Sequence, residues 1–287
     1  MNSLVQIRTG EASAALAHEK ERLLFGYLGS WPSLIVALSG GIDSAYLSWA
    51  AHQSLGQHSL SITAISASYS AFDREQVEIF LRAARVRHEF VETHELENPA
   101  YRVNDSNRCY YCKDELFTVL DQLAAQRGIA AIAYGVNADD SSDFRPGQRA
   151  AAEHGILTPL LEVQLHKAEI RFLARRAAIP MWDRPASACL SSRLPYGTEV
   201  TPARLTLIER GEQALRGLGF RQFRVRLHDS LGRVEIASDE LPRALRPEMA
   251  AAISSALKAA GFTYVTLDLE GYRQGSLNEN LAKSQGT

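Results

Sequence analysis

The chain is sparing with cysteine: 287 residues contain three. An odd and small number cannot build a paired disulfide framework, so a reducing cytoplasm is the expected compartment. Charge excess is also missing, since 31 lysines and arginines face 33 acids, for a formal net charge of −2. That balance excludes a whole-molecule pull toward nucleic acid or an anionic membrane. No apolar run is long enough to span a bilayer. The start, MNSLVQIRTGEASAAL, lacks the basic and apolar regions of a secretory signal. Internal repeats and low-complexity tracts are absent too, and the polar tail SLNENLAKSQGT reads as a poorly ordered end.

What is present is a 31.6 kDa chain with 46% hydrophobic residues, enough for two buried cores. An amphipathic helix is predicted over 11–27, and SLIVALS (33–39) is an apolar run stopped by Gly-Gly, which suits a buried parallel strand. Helices at 43–53, 73–85 and 113–127 then alternate with strands at 60–66, 87–93 and 130–136, and a further helix runs 167–177. That alternation predicts a Rossmann-like α/β fold with a parallel sheet joined by right-handed crossovers. After Pro195 the texture changes: a helix at 202–217, strands 223–228 and 233–238 joined by DSLG, a helix after Pro247 and a last strand in YVTLDLE. The expected organisation is a domain of 1–194 followed by a small α+β domain of 195–287.

Ser39-Gly40-Gly41-Ile42-Asp43-Ser44 lies between the first strand and its helix. Two glycines let backbone N–H groups approach an anion, the helix N-terminus adds its dipole, and Ser39 and Ser44 supply hydroxyls. Asp43 suits a bridging Mg2+ or a capping role. No Gly-Lys-Ser/Thr follows, so this is not a Walker-type loop. A plain Gly-rich turn is the bland alternative. In a parallel sheet ligands sit beyond the carboxyl ends of the strands, which makes 66–70 and 135–140 candidates for nucleotide contact. Asp139, Asp140 and Asp143 could hold Mg2+ or form a solvated loop.

Cys109 and Cys112 stand in RCYYCKDELF and Cys189 in RPASACLSSRLPYG. Cys-x-x-Cys plus one distant cysteine fits a [4Fe-4S] set that leaves one iron without a protein ligand. A thioredoxin-like pair would leave Cys189 unexplained. Structural zinc would need a fourth ligand, for which His154 and His94 are the candidates. Seven arginines between 204 and 233 face three acids; Arg224 and Arg226 alternate along one strand and so share a face, as suits bidentate contact with phosphate or carboxylate. An exposed arginine face is the bland reading of the same residues.

The SGGIDS stretch resembles the pyrophosphate loop of the PP-loop ATP pyrophosphatases, which split ATP to AMP and pyrophosphate. NRCYYCKDELF, YGVNADDSSDFRPGQRAA, RPASACLSSRLPYGTEVT and LDLEGYRQGSLN together resemble the LarE family of pyridinium-3,5-biscarboxylic acid mononucleotide sulfurtransferases, over nearly the whole chain. The resemblance implies ATP bound at Ser39, Gly40, Gly41, Asp43 and Ser44, and a small pyridinium mononucleotide whose carboxylates become thiocarboxylates through an acyl-adenylate. It places Glu212, Arg224, Arg226 and Glu235 at active-site positions, Glu235 in metal binding or proton transfer. The family supplies sulfur in two ways: sacrifice of a cysteine in the setting of Cys189, or a [4Fe-4S] cluster on three cysteines whose spare iron carries sulfide. Having all three, this chain is expected to use the cluster on Cys109, Cys112 and Cys189. A homo-oligomer is also implied. Rival readings are a PP-loop tRNA thiolase, an amide-forming PP-loop ligase with structural cysteines, and a non-enzymatic nucleotide-binding module.

Overall fold

The computed structural model describes residues 2–142, 146–185 and 187–273. The chain divides into two compact units: 1–66, 71–94 and 110–187 form the first, and 67–70, 95–109 and 188–287 the second. Asp143 and the tail from 276 lie outside the described residues.

In the first unit, β1 (Leu34–Ala37), β2 (Ser59–Ile65), β3 (His88–Glu92) and β4 (Ala131–Tyr134) make a four-stranded sheet in the order β3-β2-β1-β4. All of its pairings are parallel. Helices α1 (Asn2–Gly29), α2 (Ile42–Leu55), α3 (Ala71–Ala84), α4 (Arg108–Arg127), α5 (Pro146–Glu153) and α6 (Lys167–Arg176) accompany the strands. The continuous apolar run of β1 follows from burial on both faces. Leu34 and Val36 join a core with Leu24, Leu47, Phe80 and Leu173, from α1, α2, α3 and α6. Ile35 and Ala37 point the other way, into a core with Phe117, Leu120 and Ala150 from α4 and α5. Burying each such side chain removes about 1.5–3 kcal/mol of apolar exposure. The expected Rossmann-like parallel sheet is therefore present.

Two of the boundaries that differ from the sequence reading in this unit do so for local reasons. β1 ends at Ala37 rather than at Ser39 because the chain turns toward the glycines, although the Leu38 N–H still donates to Ile62 O at 2.8 Å. Helix α4 begins at Arg108 instead of 113, because Asp105 turns the chain first: its carboxylate accepts from Asn107 N–H at 2.7 Å and its carbonyl from Arg108 N–H at 3.2 Å. Cys109 and Cys112 consequently lie within the first turns of a helix, three residues apart.

The second unit holds α7 (Pro202–Gly217), β5 (Phe223–His228), β6 (Leu231–Ile236), α8 (Pro247–Ala260) and β7 (Tyr264–Leu267). Thr201 caps α7 by accepting from Arg204 N–H at 3.3 Å, with Pro202 in the first position, where its missing N–H costs nothing. α8 likewise starts at Pro247 and stops at Gly261, whose φ of 119° only glycine adopts readily. β5 pairs antiparallel with β6, and β6 parallel with β7. β6 starts two residues before the expected 233 because Asp229, at φ 53°, closes a two-residue turn that pairs His228 with Leu231. Val225, Leu227, Val234, Ile208, Leu215 and Leu257 are buried in this unit.

Candidate functional site

In the first unit the SGGIDS turn leaves β1 and enters α2. Gly40 has φ 85°, and Gly41 precedes the helix in an extended conformation. The turn is tied internally: the Ser44 hydroxyl donates to Gly41 O at 2.9 Å and accepts from Ser39 N–H at 3.2 Å. The end of β4 comes so close that a Cβ on Gly135 would lie 2.7 Å from Ser44 N. The start of α2 and the residue after β4 thus approach backbone to backbone beside the turn.

Among the described residues two cations reach this turn, neither of them singled out from the sequence. Arg184 donates to Gly40 O at 2.7 Å, pairs with Asp73 and lies 4.9 Å over the Phe72 ring. Lys167, at the start of α6, pairs with Asp43. Burial pushes the Asp43 carboxyl up, Lys167 pulls it down, and neighbouring Asp140 pushes it up again. The two described acids after β4, Asp139 and Asp140, thus separate. Asp139 accepts from Lys167 N–H at 2.7 Å and meets His166 Nδ1 at 2.7 Å, and these contacts, His166 first, hold it below the ordinary carboxylate range. Its role is to fix the N-terminus of α6. Asp140 accepts from Asn137 N–H at 3.2 Å and is the acid that acts on Asp43.

In the second unit Cys189 opens a short helical turn, Leu190–Arg193. Arg193, 3% exposed, donates to the carbonyls of Ala188 and Cys189, the latter at 2.8 Å, and its other edge makes a bidentate pair with Glu212 at 2.8 and 2.9 Å. Arg226 donates to Ser192 O at 2.6 Å and makes a second bidentate pair with Glu235, both contacts at 3.0 Å. Glu235 also accepts from Arg233 at 3.0 Å. The carboxylates Glu212 and Glu235 are thus held in ion pairs, at 6% and 1% exposure. Arg224 lies 5.1 Å from the Tyr272 ring, and burial, then the neighbouring Arg193 charge, lowers its pKa. Arg193, Arg224, Arg226 and Arg233 thus gather around Glu212 and Glu235 beside the turn that carries Cys189, with Arg233 also facing Asp268 at 3.7 Å.

The same turn is held from a third direction. Arg108, 3% exposed, donates to Ser191 O at 2.8 Å and Asn104 Oδ1 at 2.6 Å, and approaches Cys109 Sγ at 3.8 Å. Burial works against its charge, yet the Cys189 and Cys109 sulfurs raise its pKa above the ordinary value. Leu190 N–H donates to Ser68 O at 3.0 Å, so the segment 67–70, expected near nucleotide, supports the residue after Cys189 within this unit.

The sulfur donor set suits iron in kind, but among the described residues no three cysteine, histidine or acidic side chains gather as a metal site. Of the histidines considered for zinc, His154 has both ring nitrogens engaged by Asp121 at 2.6 Å and Asp114 at 3.1 Å. The backbone N–H of His94 donates to Glu115 at 3.1 Å.

Sheet order, buried β1 and the SGGIDS turn define an α/β protein of the Rossmann-like PP-loop kind. No family model matches the chain. It is 33% identical to the pyridinium-3,5-bisthiocarboxylic acid mononucleotide synthase of Lactiplantibacillus plantarum, across 95% of this chain and 98% of that protein. An uncharacterized protein of Synechocystis is 40% identical over 90% of this chain and 96% of its own length. One from Methanocaldococcus jannaschii is 31% identical over 59% of this chain and 66% of its own. The chain belongs to the LarE family, that of the Lactiplantibacillus synthase.

Proposed function

We propose that the protein is a cytoplasmic, ATP-dependent sulfurtransferase that converts carboxylates of pyridinium-3,5-biscarboxylic acid mononucleotide to thiocarboxylates. The full-length similarity to the Lactiplantibacillus synthase carries this reading. The cluster of Arg193, Arg224 and Arg226 beside Cys189 supports it, because a substrate with a phosphate and two carboxylates is bound by guanidinium groups. No helix of the described residues is long and apolar enough to cross a membrane. The proposed partner is this small molecule rather than nucleic acid, handled by a homo-oligomer.

A free carboxylate is a poor electrophile, so it is first activated. The amides of 39–44 hold the triphosphate, a substrate carboxylate oxygen bonds to the α-phosphorus, and pyrophosphate leaves with the electron pair of the broken P–O bond. Sulfur then attacks the acyl-adenylate carbon and AMP departs. Mg2+ beside Asp43 and Asp140 would offset phosphate charge. Arg224 and Arg226 anchor the mononucleotide, while Glu212 and Glu235 act through the arginines they fix. Cys109, Cys112 and Cys189 would hold a [4Fe-4S] cluster, which would supply a sulfide at its open iron.

The test is turnover of the pyridinium mononucleotide with ATP, followed by nucleotide analysis and mass spectrometry of small molecule and protein. AMP, pyrophosphate and thiocarboxylate in equal amounts are expected. ADP as the product would sink the adenylating mechanism. Anaerobic protein carrying iron should show many turnovers with added sulfide and no change of protein mass. Loss of sulfur from Cys189, with full activity in a Cys109→Ala, Cys112→Ala double variant, would replace the cluster by sacrifice of Cys189.

A further inference from the structure

A triphosphate brings several negative charges to a turn that contains no lysine or arginine and one aspartate. Backbone amides alone leave that charge poorly balanced, so cations must come from elsewhere in the fold. Among the described residues two are within reach, Arg184 and Lys167, and their surroundings separate them. Arg184 is fixed on three sides, by Gly40 O, Asp73 and the Phe72 ring, and its side chain is 10% exposed. It braces the turn. Lys167 is 32% exposed at its side chain, and its ammonium rests on Asp43 from 124 residues away in sequence.

The geometry of Lys167 suits exchange of partners. Its backbone is pinned, since its N–H donates to Asp139, so the root of the side chain stays in place. Its four-carbon stem is flexible, and a compact ammonium with three donors can move from a carboxylate to phosphate oxygens without loss of hydrogen bonds. Asp43, buried and close to Asp140, favours a cation beside it in the absence of ligand. We infer that Lys167 is the phosphate-binding lysine of the SGGIDS turn, supplied in space by α6 rather than in sequence by the loop, with its ammonium passing from Asp43 to the outer phosphates of the nucleotide. This rests on the adenylating reading above. When the carboxylate oxygen bonds to the α-phosphorus and the bond to the bridging oxygen breaks, charge accumulates on pyrophosphate, and Lys167 neutralises it.

Calorimetric titration with ATP, inorganic pyrophosphate and AMP tests this on the full-length protein. Lys167→Met should weaken ATP and pyrophosphate binding about ten- to a hundredfold, the range for a lost charge-assisted hydrogen bond. AMP binding should be nearly unchanged, and Lys167→Arg should restore part of the loss. A lysine that merely neutralises Asp43 would have no further effect once that charge is gone. The double variant Asp43→Asn, Lys167→Met should therefore bind pyrophosphate more weakly than Asp43→Asn alone, and equal affinities would overturn the inference. So would equal weakening of AMP and pyrophosphate in Lys167→Met. Failure of the parent protein to bind ATP or pyrophosphate would overturn the adenylating reading itself, and the lysine's role with it.

Discussion

In the first unit the SGGIDS geometry is carried mainly by backbone over six consecutive residues, whereas in the second the turn bearing Cys189 is held by side chains from distant segments. The amides of Ser39 and Gly41 and the hydroxyls of Ser39 and Ser44 close bonds within the first turn, where α2 begins. The Cys189 turn has its carbonyls taken by Arg193, Arg226 and Arg108, each anchored in turn by Glu212, Glu235 or Asn104. A backbone device tolerates most side-chain changes but no intrusion on its main chain. A side-chain device fails when one ion loses its partner.

The largest effect should come from cutting the second device. Arg193→Ala leaves Glu212 buried without its counter-ion and frees two carbonyls of the Cys189 turn. Breaking a buried pair from one side costs about 3–5 kcal/mol. Denaturant unfolding should show that loss, and an Arg193→Ala, Glu212→Gln double variant should recover part of it without recovering sulfur transfer. A loss below about 1 kcal/mol in Arg193→Ala would mean that the pair is solvated and the contrast between the units is wrong.

The first device should break differently. Gly135→Ala places a methyl 2.7 Å from Ser44 N and 2.9 Å from its Cα, both of them backbone atoms. Overpacking of this kind costs about 1–3 kcal/mol, and here the strain falls on the cradle itself. Nucleotide binding should be lost more completely than stability. Gly41→Ala meets only the Ser39 hydroxyl, at 3.6 Å, and should stay near the parent in stability. Equal stability of both glycine variants would show that close backbone approach is not what shapes the turn.

That contrast also explains what could be read from the sequence. The SGGIDS turn was legible because its parts are contiguous and its conformation follows from glycine and a helix start. Helix 202–217 and strand 223–228 were legible to the residue, since Thr201-Pro202 and an alternating apolar pattern mark them locally. Arg193 stood in plain view in CLSSRLPYG, yet its importance depends on Glu212, nineteen residues away, and nothing local announces the pair. Arg184 and Lys167 reach the glycine turn from 144 and 124 residues away, through contacts that only the folded sheet creates. The alternation of Arg224 and Arg226 was legible, but not that Glu235 and Ser192 O would occupy Arg226.

The smallest effect concerns two histidines of the first unit whose surroundings act in opposite directions. Burial, against a smaller pull from Glu89, lowers His88 to about 4, while its ring meets Thr63 Oγ1 at 2.9 Å. For His154 partial burial works against the charge, but the hydrogen bonds its ring donates to Asp121 and Asp114 outweigh it and raise the pKa. An unfolded histidine titrates near 6.5. His154 therefore binds its proton more tightly when folded; its contribution is complete below about 6.5 and disappears as pH rises through the raised folded value. His88 does the reverse: the unfolded chain takes up a proton that the folded one refuses, so stability falls as pH drops from about 6.5 toward 4. His154→Gln should lower Tm by about 1–3 °C at pH 6, as expected for a partly exposed cluster, and have little effect at pH 9. His88→Asn should flatten the acid limb between pH 6.5 and 4 and leave the alkaline side unchanged. A His154→Gln penalty that is the same at pH 6 and pH 9 would show that the ring packs against α4 without carrying charge, leaving Asp114 and Asp121 as surface acids.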